Sequence, residues 1–310
     1  MIRTQNLSKT YGDFEALRGI SLQVNEGDIY GFIGPNGAGK TTTIKILTTL
    51  LEPSSGDAFV NGQSVWDQKD SIRGLIGYMP DAFGVYPDMT VNEYLHFFAA
   101  AYGVPRGERQ GLVDGLLELT DLSYKEDALV DSLSKGMQQR LGLARALVHD
   151  PKVLILDEPA AGLDPRARVE LREILRELQS MGKTILLSSH ILSELQDICN
   201  RVGIIERGVV VAEGSVEEIL DQLSSSGRIS LRTDDNDAAL ELLAAHPAIS
   251  GAGADAADAT LLWVTLSEVD GDLAVVSKVL AQGGVGLRFL TRERVSLEEA
   301  FMQLTQGLVQ

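Results

Sequence analysis

Gly34-Pro35-Asn36-Gly37-Ala38-Gly39-Lys40-Thr41 sits between an apolar run at residues 28–33 and a segment in which Ile44, Leu47 and Leu51 keep helical spacing. A strand, a Gly-x-x-x-x-Gly-Lys-Thr turn and a helix, in that order, make a phosphate-cradling loop. Glycines let successive backbone N–H groups turn inward around phosphate oxygens, where a Cβ would block both the turn and the approach. The loop opens into a helix N-terminus, whose partial positive charge favours an anion. In this reading Gly34, Pro35, Asn36, Gly37, Ala38 and Gly39 wrap the phosphates. Lys40 reaches the β- and γ-phosphates, the Thr41 hydroxyl holds Mg²⁺ and Thr42 bonds a phosphate oxygen.

Downstream, Val153-Leu154-Ile155-Leu156-Asp157-Glu158 follows Pro151. Its apolar run reads as a buried parallel strand that delivers two acids to its carboxyl end, where open α/β sheets bind ligands. Alone, the two acids could form a solvated turn. Beside a phosphate loop, Asp157 becomes the Mg²⁺ partner, reached through water, and Glu158 the group that polarises an attacking water.

Between these stretches lies Leu133-Ser134-Lys135-Gly136-Met137-Gln138-Gln139-Arg140. Ser134 suits the N-cap of a helix running to about residue 148, and Gly136 leaves its backbone open to approach. By itself this is either a plain capped helix or a second anion site. In combination with the other two stretches it resembles the signature motif of ATP-binding-cassette (ABC) ATPases. The resemblance covers residues 1 to about 217. It implies an α/β fold on a P-loop nucleotide-binding domain, with a mixed-sheet core, an antiparallel β subdomain and a helical insert. The implied cofactors are ATP and Mg²⁺, and the implied reaction is ATP hydrolysis.

The minor elements of that family fall in the same order. Tyr11 matches the aromatic that stacks on adenine. Gly162-Leu163-Asp164 matches the D-loop, with Asp164 also an N-cap ahead of Pro165. Ser188-Ser189-His190 follows an apolar strand at 184–187, and His190 matches the switch histidine that contacts the γ-phosphate. His96, His149 and His246 have no such setting. The resemblance further implies a head-to-tail dimer, a homodimer or a pair with a related ATPase. In it Ser134, Lys135 and Gly136 complete the partner's site in trans.

At two places the chain departs from the family pattern. Asp81, in Gly77-Tyr78-Met79-Pro80-Asp81, replaces the usual Gln. Asp still offers an oxygen to Mg²⁺, but it is a methylene shorter and adds negative charge, which puts its metal contact in question. The signature carries Lys135 and Met137 in place of the commoner Gly and Gln. Lys135 is either a solvated helix-start lysine or a charge-assisted contact to nucleotide or partner.

The chain has 310 residues, 44% hydrophobic, enough to bury a large core and to divide into about two units. Its single cysteine, Cys199, falls in an expected helix at 191–200 and cannot form an internal disulfide, as in a reducing compartment. No stretch reaches the roughly 18 uncharged apolar residues of a membrane helix, and residues 1–5 contain no apolar leader. A net charge of −17, from 44 acids and 27 bases, argues against binding nucleic acid or anionic lipid. Association with a membrane is therefore expected through a protein partner, not by lipid insertion.

The ATPase domain is expected at 1–220, with its helical insert at about 84–148, where Val91, Tyr94, Leu95 and Phe98 repeat at core-face spacing. Leu171, Ile174, Leu175 and Leu178 repeat it again. A polar linker at 221–227 leads to an accessory domain at 228–310 whose pattern suits a β-α-β-β-α-β, ferredoxin-like α+β layer, with a loose loop at 251–259 and a last helix through Phe301. The ending Val295-Ser296-Leu297-Glu298-Glu299-Ala300-Phe301 resembles the tail of ATPases that serve two-subunit (ABC-2 type) exporters. The family's helical insert receives the coupling helix of a membrane permease, and Phe83, Val85 and Tyr86 are candidates for that dock. The expectation is thus the cytoplasmic ATPase subunit of an exporter, held at the inner face of the membrane by a separate permease. The rival is a soluble cassette ATPase acting on a ribosome or nucleic-acid complex. Such proteins usually carry two cassettes or long coiled coils, whereas this chain has one phosphate loop and no extended heptads.

Overall fold

Ile29–Ile33 is buried at every position, as a strand must be when both faces of its sheet are covered. The computed structural model describes residues 1–292 except positions 83, 85, 87, 192–194, 196–197, 224–227, 256–257, 259 and 268–271. Ile29–Ile33 lies inside a six-stranded sheet with the order Val209–Ser215, Arg201–Glu206, Ile29–Ile33, Thr184–Ser189, Val153–Leu156, Ile76–Met79. All neighbours are parallel except the Val209–Ser215 edge.

Register aligns the strand ends. Ile33 pairs with Ser189, Leu156 with Leu187 and Met79 with Leu156. The phosphate loop, the Asp157–Glu158 pair, His190 and Asp81 therefore all leave the sheet at its carboxyl edge, from four different strands.

A second, antiparallel sheet is built from Phe14–Ile20, Ile2–Tyr11, Ser55–Val60 and Gln63–Ser64, with Gln23–Val24 paired to Ile2–Tyr11. One apolar core joins the two sheets through Ile2, Leu17, Val60, Phe32, Ile44, Ile155 and Leu186. The helix after the phosphate loop, Lys40–Leu47, buries Ile44 and Leu47 as expected but ends before Leu51. Thr49 turns to φ 65°, which stops the helix, and Leu51 packs against the core from beyond that turn.

The insert holds Val91–Ala101, Arg109–Leu119 and Lys135–Leu147. Thr90 and Glu93 close a capping box, and Val91, Tyr94 and Leu95 are buried, with Phe98 half-buried. Pro165–Ser180 buries Leu171, Ile174, Leu175 and Leu178. Among the described residues, no helix is long and apolar enough to cross a membrane. Phe83, Val85, half of the stretch expected as a helix at 191–200 and the whole tail from 293 lie outside the described residues.

Contacts divide the chain into two compact units, Met1–Val216 and Glu217–Gln310. The division falls earlier than the expected linker because the helix Val216–Leu223 occupies that linker's first three positions. Ile219 is buried and Glu217 and Glu218 suit the helix's positive end, so a stretch that looks polar has an apolar anchor. In the second unit the strands run Ile249–Ala254, Leu262–Leu266, Arg228–Thr233, Leu287–Arg292, each antiparallel to its neighbour, with helices Asn236–Ala244 and Ala274–Gln282 between them in sequence. That strand order is a ferredoxin-like layer.

Ile249–Ala254 corrects the expected loop at 251–259. The small residues there serve packing: a Cβ on Gly253 would meet the Trp263 ring at 2.8 Å and one on Gly251 at 3.3 Å. A Gly-Ala run reads as a loose loop, yet it makes an edge strand because an indole on the neighbouring strand lies over it.

Candidate active site

At the carboxyl edge of the six-stranded sheet is a cavity of about 410 Å³, lined by Tyr11, Pro35, Asn36, Gly37, Gly39, Lys40, Thr41, Thr42, Asp81, Glu158 and His190. Backbone geometry explains the glycines at two positions. Gly37 has φ 80°, and Gly39, the N-cap of Lys40–Leu47, has φ 110°. The loop is tied to its neighbouring strand, since Gly34 N–H donates to Ser189 O at 3.3 Å.

Lys40 is only 6% exposed. Its ammonium donates to Gly34 O at 2.6 Å and to Pro35 O at 3.3 Å, and it lies 3.3 Å from Glu158 Oε1. The other Glu158 oxygen, Oε2, is 2.8 Å from His190 Nδ1. Both oxygens of the Glu158 carboxylate are thus engaged, by the lysine and the histidine that the sequence assigned to the γ-phosphate.

Glu158 has φ 50°, a left-handed conformation that a glutamate seldom adopts and that clusters at functional sites. Its N–H donates to Ser188 Oγ at 3.0 Å. Asp157, 2% exposed, accepts from the Ser188 hydroxyl at 2.6 Å, and its own N–H donates to Met79 O at 2.8 Å.

The oxygen donors suit Mg²⁺. Among the described residues no group of three or more His, Cys, Asp or Glu side chains could hold a metal ion alone. Mg²⁺ in nucleotide sites takes one or two carboxylates together with substrate phosphates, and Thr41, Asp157 and Asp81 offer hard oxygens of that kind. Asp81 is exposed and lines the cavity. Asp81→Gln is expected to keep a substantial share of the ATPase activity, because glutamine offers the same kind of oxygen without the added charge. A loss as deep as that of Glu158→Gln in a phosphate-release assay would give the carboxylate a role of its own.

Tyr11 is 47% exposed at the cavity wall, where its ring is open to stacking. Phe14 and Ala16 line the same wall, and sequence reasoning passed over both. Phe14 pairs in register with Tyr11 across the hairpin, a cue present in the short turn Gly12-Asp13. Ser188 was also passed over as a site residue.

The signature residues are elsewhere. Ser134, Lys135 and Gly136 do not line the cavity, and neither does Asp164. Ser134 Oγ accepts from Met137 N–H at 3.4 Å, and Asp164 Oδ1 accepts from Arg166 and Ala167 N–H, each at 2.9 Å. Gly136 has a packing reason within the chain, since a Cβ there would stand 3.0 Å from the Ala167 Cβ. The Lys135 ammonium lies against Gly162 in the D-loop.

Residues 17–161 match the family model described as ABC transporter. "Nod factor export ATP-binding protein I" of Burkholderia orbicola is 39% identical over 304 residues, which is 97% of this chain and 95% of that protein. The chain belongs to the ABC transporter ATP-binding family. The Ralstonia nicotianae protein of the same name is 34% identical over 305 residues, 98% of this chain and 94% of that one. Among solved structures, an ATP-binding subunit of an ABC transporter matches at 33% identity and TM-score 0.65, over 72% of this chain and 93% of that one. A dimeric ATP-binding cassette in a post-hydrolysis state with ADP and Pi matches at 26% identity and TM-score 0.64, over 70% and 99%. This ABC ATPase thus binds and hydrolyses ATP, as the strand-edge cavity and its loop require.

Proposed function

We propose that this ABC ATPase powers an exporter by closing head to tail around ATP and reopening after hydrolysis. The observation that carries the reading is the separation within one chain. The cavity holds the phosphate loop, Glu158 and His190, while the signature hydroxyl of Ser134 is exposed outside it. A site that needs both halves is completed by a second cassette, and phosphoryl transfer, which depends on positioning and charge stabilisation, is then switched by assembly. The direction, export, follows relatives that bear that name over nearly the full chain. The same full-length likeness weighs against a soluble cassette acting on ribosomes or nucleic acid.

In the open site Lys40 and His190 hold Glu158. When phosphate replaces it as their partner, Glu158 is free to orient and deprotonate the attacking water, and Lys40 balances charge on the β- and γ-phosphates. Mg²⁺, bound to Thr41 and through water to Asp157, would supply further charge neutralisation.

A second groove, about 340 Å³, is the proposed seat of the permease. It lies between the helical insert and the sheet, lined by Leu50, Arg73, Tyr78, Phe98, Tyr102 and Arg145. Tyr102 stacks on His149 with ring centroids 4.1 Å apart. Burial holds the His149 pKa down and pushes the Tyr78 hydroxyl up to about 12, so this wall carries neutral rings beside the two arginines. An amphipathic permease helix fits such a lining. Leu50, 61% exposed, is the natural probe. Leu50→Glu is expected to abolish capture of a multi-helix membrane partner from detergent-solubilised membranes while leaving nucleotide binding unchanged. Capture equal to the unmutated protein would remove the groove from the interface. Recovery of the unmutated protein only with ribosomes or nucleic acid would overturn the transporter reading itself.

A further inference from the structure

Ser188 occupies the next-to-last position of the buried strand Thr184–Ser189, after Ile185, Leu186 and Leu187, and is 0% exposed. A hydroxyl in so dry a position must find partners within the protein. It finds two, both from the acid pair on the neighbouring strand. Glu158 N–H donates to Ser188 Oγ at 3.0 Å, and Ser188 Oγ lies 2.6 Å from Asp157 Oδ1.

These two bonds settle the direction of the proton. Asp157 presents an acceptor, and the Ser188 oxygen already receives the Glu158 N–H, so the hydroxyl hydrogen points to Asp157. Asp157 Oδ1 is thereby fixed in place by the Ser188 hydroxyl. The same hydroxyl anchors the backbone of Glu158 at φ 50°, the conformation that sends its side chain toward Lys40 and His190.

We propose that Ser188 is a positioning residue for hydrolysis, orienting Asp157 toward Mg²⁺ and Glu158 toward the attacking water through one buried hydroxyl. The inference rests on the assignment of Asp157 and Glu158 made above. Groups that orient a metal ligand from behind typically change metal affinity or activity by 10–100-fold when removed. The nucleotide phosphates, by contrast, are assigned to residues 34–42, whereas the Ser188 hydroxyl bonds to Asp157 and Glu158.

Binding of a fluorescent, non-hydrolysable ATP analogue to the full chain tests this, measured by polarisation once with Mg²⁺ and once with EDTA. Ser188→Ala is expected to weaken binding about tenfold or more in the Mg²⁺ arm and to leave the EDTA arm within about twofold. In turnover assays kcat/KM for Mg-ATP falls, and Ser188→Thr, which keeps the hydroxyl, restores both readings. Equal losses in the two arms, or equal impairment of the Ala and Thr variants, would show a packing role and overturn the proposal. Asp157→Asn, measured in parallel, separates the two levels of the argument. If Asp157→Asn leaves the Mg²⁺ arm unchanged, the metal assignment fails. If it weakens that arm and Ser188→Ala does not, only the Ser188 role fails. Should Ser188→Ala not fold, Ser188→Cys fills nearly the same space with a much weaker donor, and an unaltered Mg²⁺ arm for that variant overturns the role equally.

Discussion

Glu158→Gln will bind ATP and almost cease to hydrolyse it. The substitution keeps shape and one hydrogen-bonding oxygen but removes the base, and a positioned base contributes roughly 10²–10⁴-fold to such a step. It also removes the charge that holds Lys40 at 3.3 Å and faces His190 at 2.8 Å. Those two groups are then free for phosphate from the outset, so ATP affinity should rise as turnover falls. In the proposed cycle, a cassette that cannot hydrolyse stays closed, and size-exclusion chromatography with Mg-ATP should show a dimer that ADP does not support. Turnover within about threefold of the unmutated enzyme would mean that another group activates the water.

Gly39→Ala should do the converse and lose nucleotide binding. The new Cβ would lie 2.6 Å from Leu17 Cδ2 and 2.9 Å from Ala16 O, on a backbone at φ 110° that L residues rarely adopt. Strain of that kind is worth about 1–3 kcal/mol, before the clash with a backbone carbonyl that cannot swing aside. Binding of a fluorescent ATP analogue should weaken by at least about tenfold. Gly37→Ala is the internal control, because nothing lies within 4 Å of a Cβ there and only the φ of 80° opposes it. Equal affinities for Gly39→Ala and the unmutated protein would show that the loop is remodelled when nucleotide binds.

The parts of the site that were legible in the sequence are those in which chemistry and spacing coincide. Lys40 and Thr41 are fixed by the loop motif, and Asp157 and Glu158 by an apolar run that must be a strand. His190 needed the family order, since a histidine at a strand end has no chemistry of its own until Glu158 is placed 2.8 Å away. Ser188 was legible only as part of a tripeptide. Its role depends on the neighbouring strand, and the pairing of Leu156 with Leu187 that brings them together is a tertiary fact. The early end of the helix after Leu47 and the Ile249–Ala254 strand escaped for the same reason. A left-handed threonine and an indole laid over glycines each override the local pattern. Burial of Ile219 likewise drew the first residues of the expected linker into a helix.

Trp263, spread over Gly251 and Gly253, has a counterpart in Trp66, whose ring carries the Lys69 ammonium 3.0 Å from its centroid. The chain has only these two tryptophans, one in each compact unit. Each unit therefore carries its own intrinsic fluorophore, and replacing either one with phenylalanine leaves emission that reports on a single unit. Melting of the ATPase unit and of the ferredoxin-like unit can then be followed separately in the intact chain, and ATP should shift the transition seen by Trp66.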